Sequence, residues 1–78
     1  MNAEKILTEI EIALKAPQGS ITKDSSSENV ENWDSLGQLG ILVALDKLFA
    51  GKIAQIQEMA LADSVEKILN LLKKNSLI

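Results

Sequence analysis

The side chain best placed for chemistry in this sequence is the hydroxyl of Ser35, in the tripeptide Asp34-Ser35-Leu36. It stands where a polar loop meets a long apolar stretch that predicts a helix. A hydroxyl at this point can be the N-cap of the helix, or it can be a point of covalent attachment, because a helix N-terminus favours an attached anion. The local pattern by itself favours the cap.

Most of the side chains that enzymes use are missing from the sequence. It has no His, Cys, Tyr or Arg, eight Lys, and a net charge of −3. Without His or Cys the usual general bases, nucleophile–base pairs and zinc ligands are absent. A negative chain without Arg would also repel a nucleic-acid backbone. The composition therefore predicts neither an enzyme nor a nucleic-acid-binding protein.

Four carboxylates in the first loop raise the possibility of a cation site: Asp24, Glu28, Glu31 and Asp34. The calcium-loop pattern and its central Gly are missing, so a solvated acidic loop is the favoured interpretation. No metal site is predicted.

Hydrophobic periodicity predicts an all-α fold with three longer helices, one short helix and a long loop between the first two helices. Seventy-eight residues suffice for one domain, residues 1–78. The predicted helices cover about 3–15, 35–50, 57–61 and 64–74. In the loop, Ile21, Val30 and Trp33 are the apolar residues expected to pin it onto the core.

Three pairs of residues have capping-box spacing. Ser35 with Gln38 and Asp63 with Glu66 would begin the second and last helices. Ser25 and Glu28 would allow a single helical turn inside the loop. If Ser35 is instead an attachment point, its oxygen is not free to cap, and Asp34 becomes the alternative N-cap.

With this layout, the chain resembles an acyl carrier protein. The likeness centres on Trp33-Asp34-Ser35-Leu36-Gly37-Gln38-Leu39, which is similar to the W-D-S-L pattern of carrier domains, and it extends over essentially the whole chain. The resemblance implies a four-helix carrier bundle. It also implies that Ser35 is the attachment residue and that Asp34 and Leu36 flank the cofactor.

The resemblance implies a carrier rather than an enzyme. In that family 4′-phosphopantetheine from coenzyme A is joined to the Ser hydroxyl by a phosphopantetheinyl transferase. The arm ends in a thiol that holds acyl groups as thioesters, so the reactive sulfur is not encoded in the chain. An acyl-loading ligase, synthase or acyltransferase would be the other partner.

The chain departs from fatty-acid carriers along the second helix, where acidic residues are usual. A stripe of small or basic residues lies there instead and is the expected partner-recognition surface: Gly37, Gly40, Ala44 and Lys47. Charge complementarity mainly sets on-rate and partner choice, so its loss predicts recognition through shape and apolar contact. Fatty-acid synthesis and a specialised acyl or aminoacyl pathway both remain open.

Two further questions stay open at this stage. Seven residues either line an inter-helix pocket for an acyl chain or form a plain core: Leu36, Val43, Phe49, Ile53, Met59, Leu61 and Ile68. The alternative function is a helical interaction module that docks a partner on the apolar helix 35–50. Because no apolar run approaches about 20 residues and no signal peptide is evident, we expect a cytoplasmic monomer without membrane contact.

Overall fold

Three α-helices and two short 3-10 segments make up the fold in the computed structural model, which describes residues 3–78. The helices are α1 (Ala3–Leu14), α2 (Ser35–Leu48) and α3 (Val65–Lys74). The 3-10 segments, Ile53–Gln55 and Gln57–Leu61, lie between α2 and α3. No strand forms between residues 3 and 78, so the all-α prediction is confirmed. The predicted domain range 1–78 also includes Met1 and Asn2, which lie outside the described residues.

α1 and α2 end one or two residues earlier than the sequence predicts because left-handed residues follow them, whereas α3 ends at Lys74 as predicted. Lys15 has φ 55°, so α1 stops at Leu14. After α2, Ala50 (φ 55°) and Gly51 (φ 86°) both turn left-handed, and the Gly51 N–H donates to the Asp46 carbonyl at 2.8 Å. This is the usual way of satisfying the last carbonyls of a helix. The short helix predicted at 57–61 is present as a 3-10 helix.

The core forms where the apolar stripes of the helices meet the two connections. Its buried apolar residues are Ile6, Ile10, Leu14, Ile21, Trp33, Ile41, Leu45, Phe49, Ile53, Ile56, Met59, Ala62, Val65, Ile68 and Leu72. The spacing of three or four residues within each helix is that of one helix face. Ile12, which breaks the pattern of α1, is 65% exposed.

The long first loop is held to the core as the sequence predicts. Ile21 and Trp33 are buried, and Val30 packs partly buried against the same cluster. Two backbone hydrogen bonds add to this anchoring: the Ser27 N–H donates to the Asp63 carbonyl at 2.9 Å, and the Val65 N–H donates to the Ser25 carbonyl at 3.0 Å. The loop is therefore fixed both to the core and to the start of α3.

A single helical turn does form in this loop, but it begins one residue later than predicted. The Ser26 N–H donates to the Asn29 side chain at 2.9 Å, and the Val30 N–H donates to the Ser26 carbonyl at 3.0 Å. Ser25 is buried, and its hydroxyl accepts from the Thr22 N–H at 2.9 Å. The Ser25–Glu28 capping box is therefore wrong, because Ser25 is used inside the preceding turn.

None of the helices found in residues 3–78 combines the length and the apolar character that crossing a bilayer requires.

Candidate functional site

Ser35 is the first residue of α2 and is exposed to solvent. The N-cap is Asp34, whose backbone is extended and whose Oδ1 accepts from the Gly37 N–H at 2.9 Å. The predicted Ser35–Gln38 capping box is wrong, and the alternative cap, Asp34, is confirmed. Since the Asp34 carboxylate already accepts from the Gly37 N–H of the first turn, the Ser35 hydroxyl is not needed as the cap.

Gln38 is absent from the capping box because its side chain joins three parts of the molecule. Its Oε1 accepts from Trp33 Nε1 at 2.7 Å. Its Nε2 lies within hydrogen-bond distance of three carbonyl oxygens, those of Met59 (3.2 Å), Ala60 (3.4 Å) and Ala62 (3.0 Å). The Gln38 amide thus joins Trp33 and the end of the second 3-10 segment to α2.

Gly37 is needed for close packing of α2 against the first loop. A Cβ added there would overlap the carbonyl oxygen of Asn32 and would lie 2.8 Å from Leu14 Cδ2. The Asn32 side chain in turn donates to the Leu14 carbonyl at 3.1 Å. The sequence suggests Gly37 as part of a partner-recognition stripe. In the structure, the side of Gly37 on which a side chain would lie faces this loop.

The other three residues of the stripe lie along the groove between α1 and α2. A Cβ on Gly40 would be 3.5 Å from the Ala13 carbonyl oxygen, so Gly40 lies where the two helices pass each other. Gly40, Ala44 and Lys47 all line this groove, which has a volume of about 710 Å³. The proposed recognition surface is therefore split, with Gly37 covered and the remaining three on an open groove.

The apolar face of α2 beside this groove is exposed. Leu36 is 79% exposed, Leu39 58% and Val43 47%, and Ile12 of α1 adds to the same groove. Single exposed aliphatic side chains are common on protein surfaces, whereas these three lie in a row on one helix. The opposite face of the helix, through Ile41 and Leu45, is fully buried.

A shallow depression of about 460 Å³ surrounds Ser35. Its lining residues are Ser27, Trp33, Asp34, Ser35, Gln38, Ala60, Leu61 and Asp63. Leu61 is 82% exposed at its edge. The Asp63 carboxylate is 2.9 Å from Lys67 Nζ. The hydrogen bond and the positive charge of Lys67 lower the pKa of Asp63, and the same carboxylate raises the pKa of Lys67.

An apolar cavity of about 320 Å³ lies on the other side of the exposed leucines, between α2 and the connection to α3. Its lining residues are Leu42, Val43, Asp46, Ile53, Ala54, Ile56, Gln57, Met59 and Ala60. Of the seven residues predicted to form either a pocket or a plain core, Val43, Ile53 and Met59 line the cavity. Phe49 and Ile68 belong to the core, and Leu36 and Leu61 are exposed.

Sequence reasoning missed the roles of two polar residues that define this region, Gln38 and Asp46. Asp46 Oδ1 accepts from the Ala54 N–H at 3.0 Å. The available signal was the presence of a polar side chain within an otherwise apolar helix, which implies a specific partner when the residue is not exposed. The sequence contains no information about which distant backbone groups those partners are.

No three acidic side chains within residues 3–78 are grouped closely enough to hold a metal ion. The loop carboxylates Asp24, Glu28, Glu31 and Asp34 are exposed.

No family model, curated protein or solved structure matches this chain. The site itself consists of an exposed hydroxyl at the start of a helix that is capped by its neighbour. It is bordered by exposed leucines and lies on the same helix as an apolar cavity.

Proposed function

We propose that this chain is an acyl carrier protein, which carries acyl groups as thioesters on a 4′-phosphopantetheine arm attached to Ser35. The observation that supports the proposal most directly is the exposed Ser35 hydroxyl at the first position of α2, with Asp34 serving as the cap in its place. A serine that capped the helix itself would lose its capping bond when modified, whereas this one does not.

The surroundings of Ser35 suit a phosphodiester. The first-turn N–H groups of a helix point along its axis and carry a partial positive charge, which stabilises an attached anion. One oxygen of the neighbouring Asp34 carboxylate accepts from Gly37 N–H, and its remaining repulsion of a phosphate is screened by solvent. Leu36 and Leu61 provide apolar surface on either side for the aliphatic part of the arm.

Attachment is assigned to a separate transferase, because the carboxylate beside Ser35, that of Asp34, is engaged as the helix cap. The Ser35 oxygen forms a bond to the phosphorus that carries pantetheine in coenzyme A, the bond to the adenosine bisphosphate breaks, and the hydroxyl proton passes to the transferase. When bound, the arm supplies a thiol for thioester formation. The protein presents and shelters that arm and performs no catalysis of its own.

The apolar cavity is the proposed shelter for the acyl chain. It has an aliphatic lining that includes Met59, whose flexible thioether adapts to irregular shapes. Its volume of about 320 Å³ lies at the small end of the range for ligand pockets. Covering the chain removes apolar surface from water and slows hydrolysis of the thioester.

Recognition of the transferase and of an acyl-loading ligase, synthase or acyltransferase would use the α1–α2 groove. The exposed residues there are mainly aliphatic, with Lys47 and Glu9 as its charged members. Apolar contact and shape therefore dominate over charge in this proposal. Both fatty-acid synthesis and a specialised acyl or aminoacyl pathway are compatible with such a surface.

The decisive experiment is intact-mass spectrometry after incubation with a broad-specificity phosphopantetheinyl transferase, magnesium and coenzyme A. The wild-type protein should gain the mass of one phosphopantetheine, and Ser35→Ala should gain none. Ser64→Ala is the matched control because Ser64 also follows an Asp at the start of a helix, and this variant should be modified as wild type is. A wild type that stays unmodified would refute the carrier function.

A second candidate is a helical interaction module, favoured by the exposed row Leu36, Leu39 and Val43. In that case partner binding survives Ser35→Ala and is lost in Leu39→Glu. Leu39 is a better test than Gly37, where any side chain would clash with the protein's own backbone. Loss of binding in Ser35→Ala alone would exclude this candidate.

A further inference from the structure

The outer wall of the apolar cavity is fastened to α2 by side chains at both of its ends. The wall is the segment 53–62, which contains both 3-10 segments and ends at Ala62. At one end, Asp46 accepts from the Ala54 N–H. At the other end, the Gln38 amide nitrogen is bonded to carbonyls of the wall, 3.0 Å from that of Ala62. The two polar residues lie eight positions apart on α2, about 12 Å along the helix axis, and the cavity lies between them.

The hydrogen bonds within the wall are all local. Ile56 N–H donates to the Ile53 carbonyl, Met59 N–H to that of Ile56, and Ala62 N–H to that of Met59. These three-residue bonds have poorer geometry than those of an α-helix and are easily rearranged. Among the described residues, the hydrogen bonds that join this wall to α2 come from the side chains of Gln38 and Asp46. The wall is also packed into the core through Ile53, Ile56, Met59 and Ala62, so Gln38 and Asp46 supply the polar part of its attachment to the helix.

Gln38 is also the partner of the indole N–H of Trp33, which is buried. If the wall moved outward, the Gln38 amide would either lose its carbonyls or follow them and leave the indole without an acceptor. A buried donor or acceptor without a partner is strongly unfavourable. Gln38 thus opposes widening of the cavity at this end through two sets of hydrogen bonds, those to the wall and the one from Trp33.

We propose that Gln38 limits the length of the aliphatic chain that the cavity accepts, so that the preferred cargo is a short acyl group. This role rests on the proposed carrier function for its cargo, but the size limit belongs to the cavity itself. Gln38 acts as a positioning residue: it holds the wall, and chains that fit between the wall and α2 bind without breaking its hydrogen bonds.

The test uses the unmodified protein and a series of straight-chain primary alcohols of increasing length. For wild type, affinity should rise about fourfold with each methylene, the equivalent of about 0.8 kcal/mol, until the chain fills the cavity, after which it should level off. In Gln38→Met, which keeps the side-chain length without the hydrogen bonds, the levelling-off point should move to a longer alcohol by at least one methylene. Gln38→Glu keeps an acceptor for Trp33 but turns the donor into an acceptor facing carbonyls, so it should shift in the same direction.

Ile10→Val is the matched control, because it weakens the core from α1 without touching the cavity. It should lower the melting temperature and leave the levelling-off point unchanged. The proposal fails if Gln38→Met levels off where wild type does, or if Ile10→Val shifts as far. Should the Gln38 variants not fold, wild type alone still decides: alcohols beyond the levelling-off point must change the fluorescence of Trp33, the single Trp, and short ones must not.

A final measurement carries the limit over to the cargo. On protein loaded with acyl-phosphopantetheine, the ratio of thioester half-lives between a long and a short chain should be larger for Gln38→Met than for wild type. Failure of loading would refute the carrier function and leave the alcohol result standing. Failure of the alcohol series would refute the role of Gln38 and leave the carrier function standing.

Discussion

The dipeptide Asp-Ser begins two helices of this protein, and the two copies are used in opposite ways. At α2, Asp34 is the cap and Ser35 is the first helical residue. At α3, Ser64 is the cap, with its hydroxyl accepting from the Lys67 N–H at 3.1 Å. Asp63 stands outside α3 and pairs with the side chain of Lys67. The same two residues therefore leave the serine hydroxyl free at one helix and engaged at the other.

The difference in register comes from contacts that neither dipeptide contains. Ser64 lies in an antiparallel bridge with Ser26, and the next residue, Val65, is fully buried with its N–H bonded to the Ser25 carbonyl. These contacts keep Ser64 extended and start α3 at Val65. At α2 the residue that is buried near the start is Trp33, one position before the Asp. α2 therefore begins at the Ser of its Asp-Ser dipeptide, whereas α3 begins at the residue after the Ser.

The comparison teaches that an Asp-Ser sequence does not define which side chain caps. Both capping boxes predicted for these helices, Ser35–Gln38 and Asp63–Glu66, are wrong for the same reason: the other residue of each Asp-Ser pair is the cap. A pattern match identifies groups able to accept from the first turn, and tertiary contacts select one of them. Of these two serines, Ser35 is the one whose hydroxyl does not cap its helix.

The largest effect on stability is expected at Gly37, the third residue of α2. The equivalent residue of α3 is Lys67, which serves as the control. Gly37→Ala places a Cβ against the backbone of Asn32. Overpacking costs about 1–3 kcal/mol, and a backbone clash belongs at the upper end. After the better helix propensity of Ala is offset, we expect the free energy of unfolding to fall by about 2 kcal/mol. Urea denaturation measures it.

Two controls accompany that substitution. Lys67→Ala, at the equivalent position of α3, removes an exposed side chain and its surface ion pair with Asp63, and should change stability far less. Gly40→Ala should raise stability by up to about 1 kcal/mol, because its Cβ would make an ordinary contact with Ala13. A Gly37→Ala protein as stable as wild type would show that the loop does not press on α2 as described.

A smaller effect on stability is expected from removing the side chains that cap the two helices. Asp34→Ala and Ser64→Ala should each lower the free energy of unfolding by about 1 kcal/mol, since each removes the side chain that caps its helix. Ser35→Ala should have almost no effect, because its hydroxyl caps nothing. Thermal unfolding of the three variants side by side tests this order. If Ser35→Ala cost as much as Ser64→Ala, the two serines would have the same role and the comparison would be broken.

The smallest effect is expected from the Asp63–Lys67 pair, which has no counterpart at α2. The pKa of Asp63 is lowered from 3.8 by Lys67, so its contribution to stability is present above pH 3.8 and is lost as the pH falls through the lowered value. The pKa of Lys67 is raised from 10.5, so its contribution is present below pH 10.5 and is lost as the pH rises through the raised value.

Both groups are exposed, so the contribution is small and salt should weaken it. The measurement is the melting temperature of wild type and of Asp63→Asn between pH 2 and pH 7, at low and at high salt. The two proteins should differ near neutral pH and converge as the pH falls below 3.8. A difference that stays constant with pH would show that the ion pair is not its cause.

Several features of the fold could be predicted from the sequence because they depend on residues close to each other in the chain. The spacing of Ile6, Ile10 and Leu14 defines the buried face of α1, and Pro17 lies just beyond its end. The apolar residues Ile21 and Trp33 stand out in a polar loop and are buried as expected. Such patterns predict a helix or an anchor without reference to any partner.

The candidate site could be predicted only in part. Ser35 was identified from its position before an apolar helix, but the sequence does not say whether its hydroxyl caps. Gly37 belongs to the predicted recognition stripe because it occupies a position where fatty-acid carriers usually have an acidic residue. The reason for a glycine there, a backbone oxygen from the preceding loop, is a tertiary contact. The spacing of Gln38 predicts a capping box, whereas its partners are Trp33, five positions away, and carbonyls more than twenty positions away.

By itself the sequence determined the all-α class, the approximate limits of the helices and the residues that can be buried, since side-chain period and composition act over a few neighbouring positions. It also contains no His, Cys, Tyr or Arg, which are side chains that many enzymes use. Tertiary structure alone decided which Asp-Ser residue caps each helix, which glycine is indispensable, and how the cavity wall is held to α2. Those outcomes depend on hydrogen bonds and contacts between groups distant in the chain, whose distances exist only once the helices have packed.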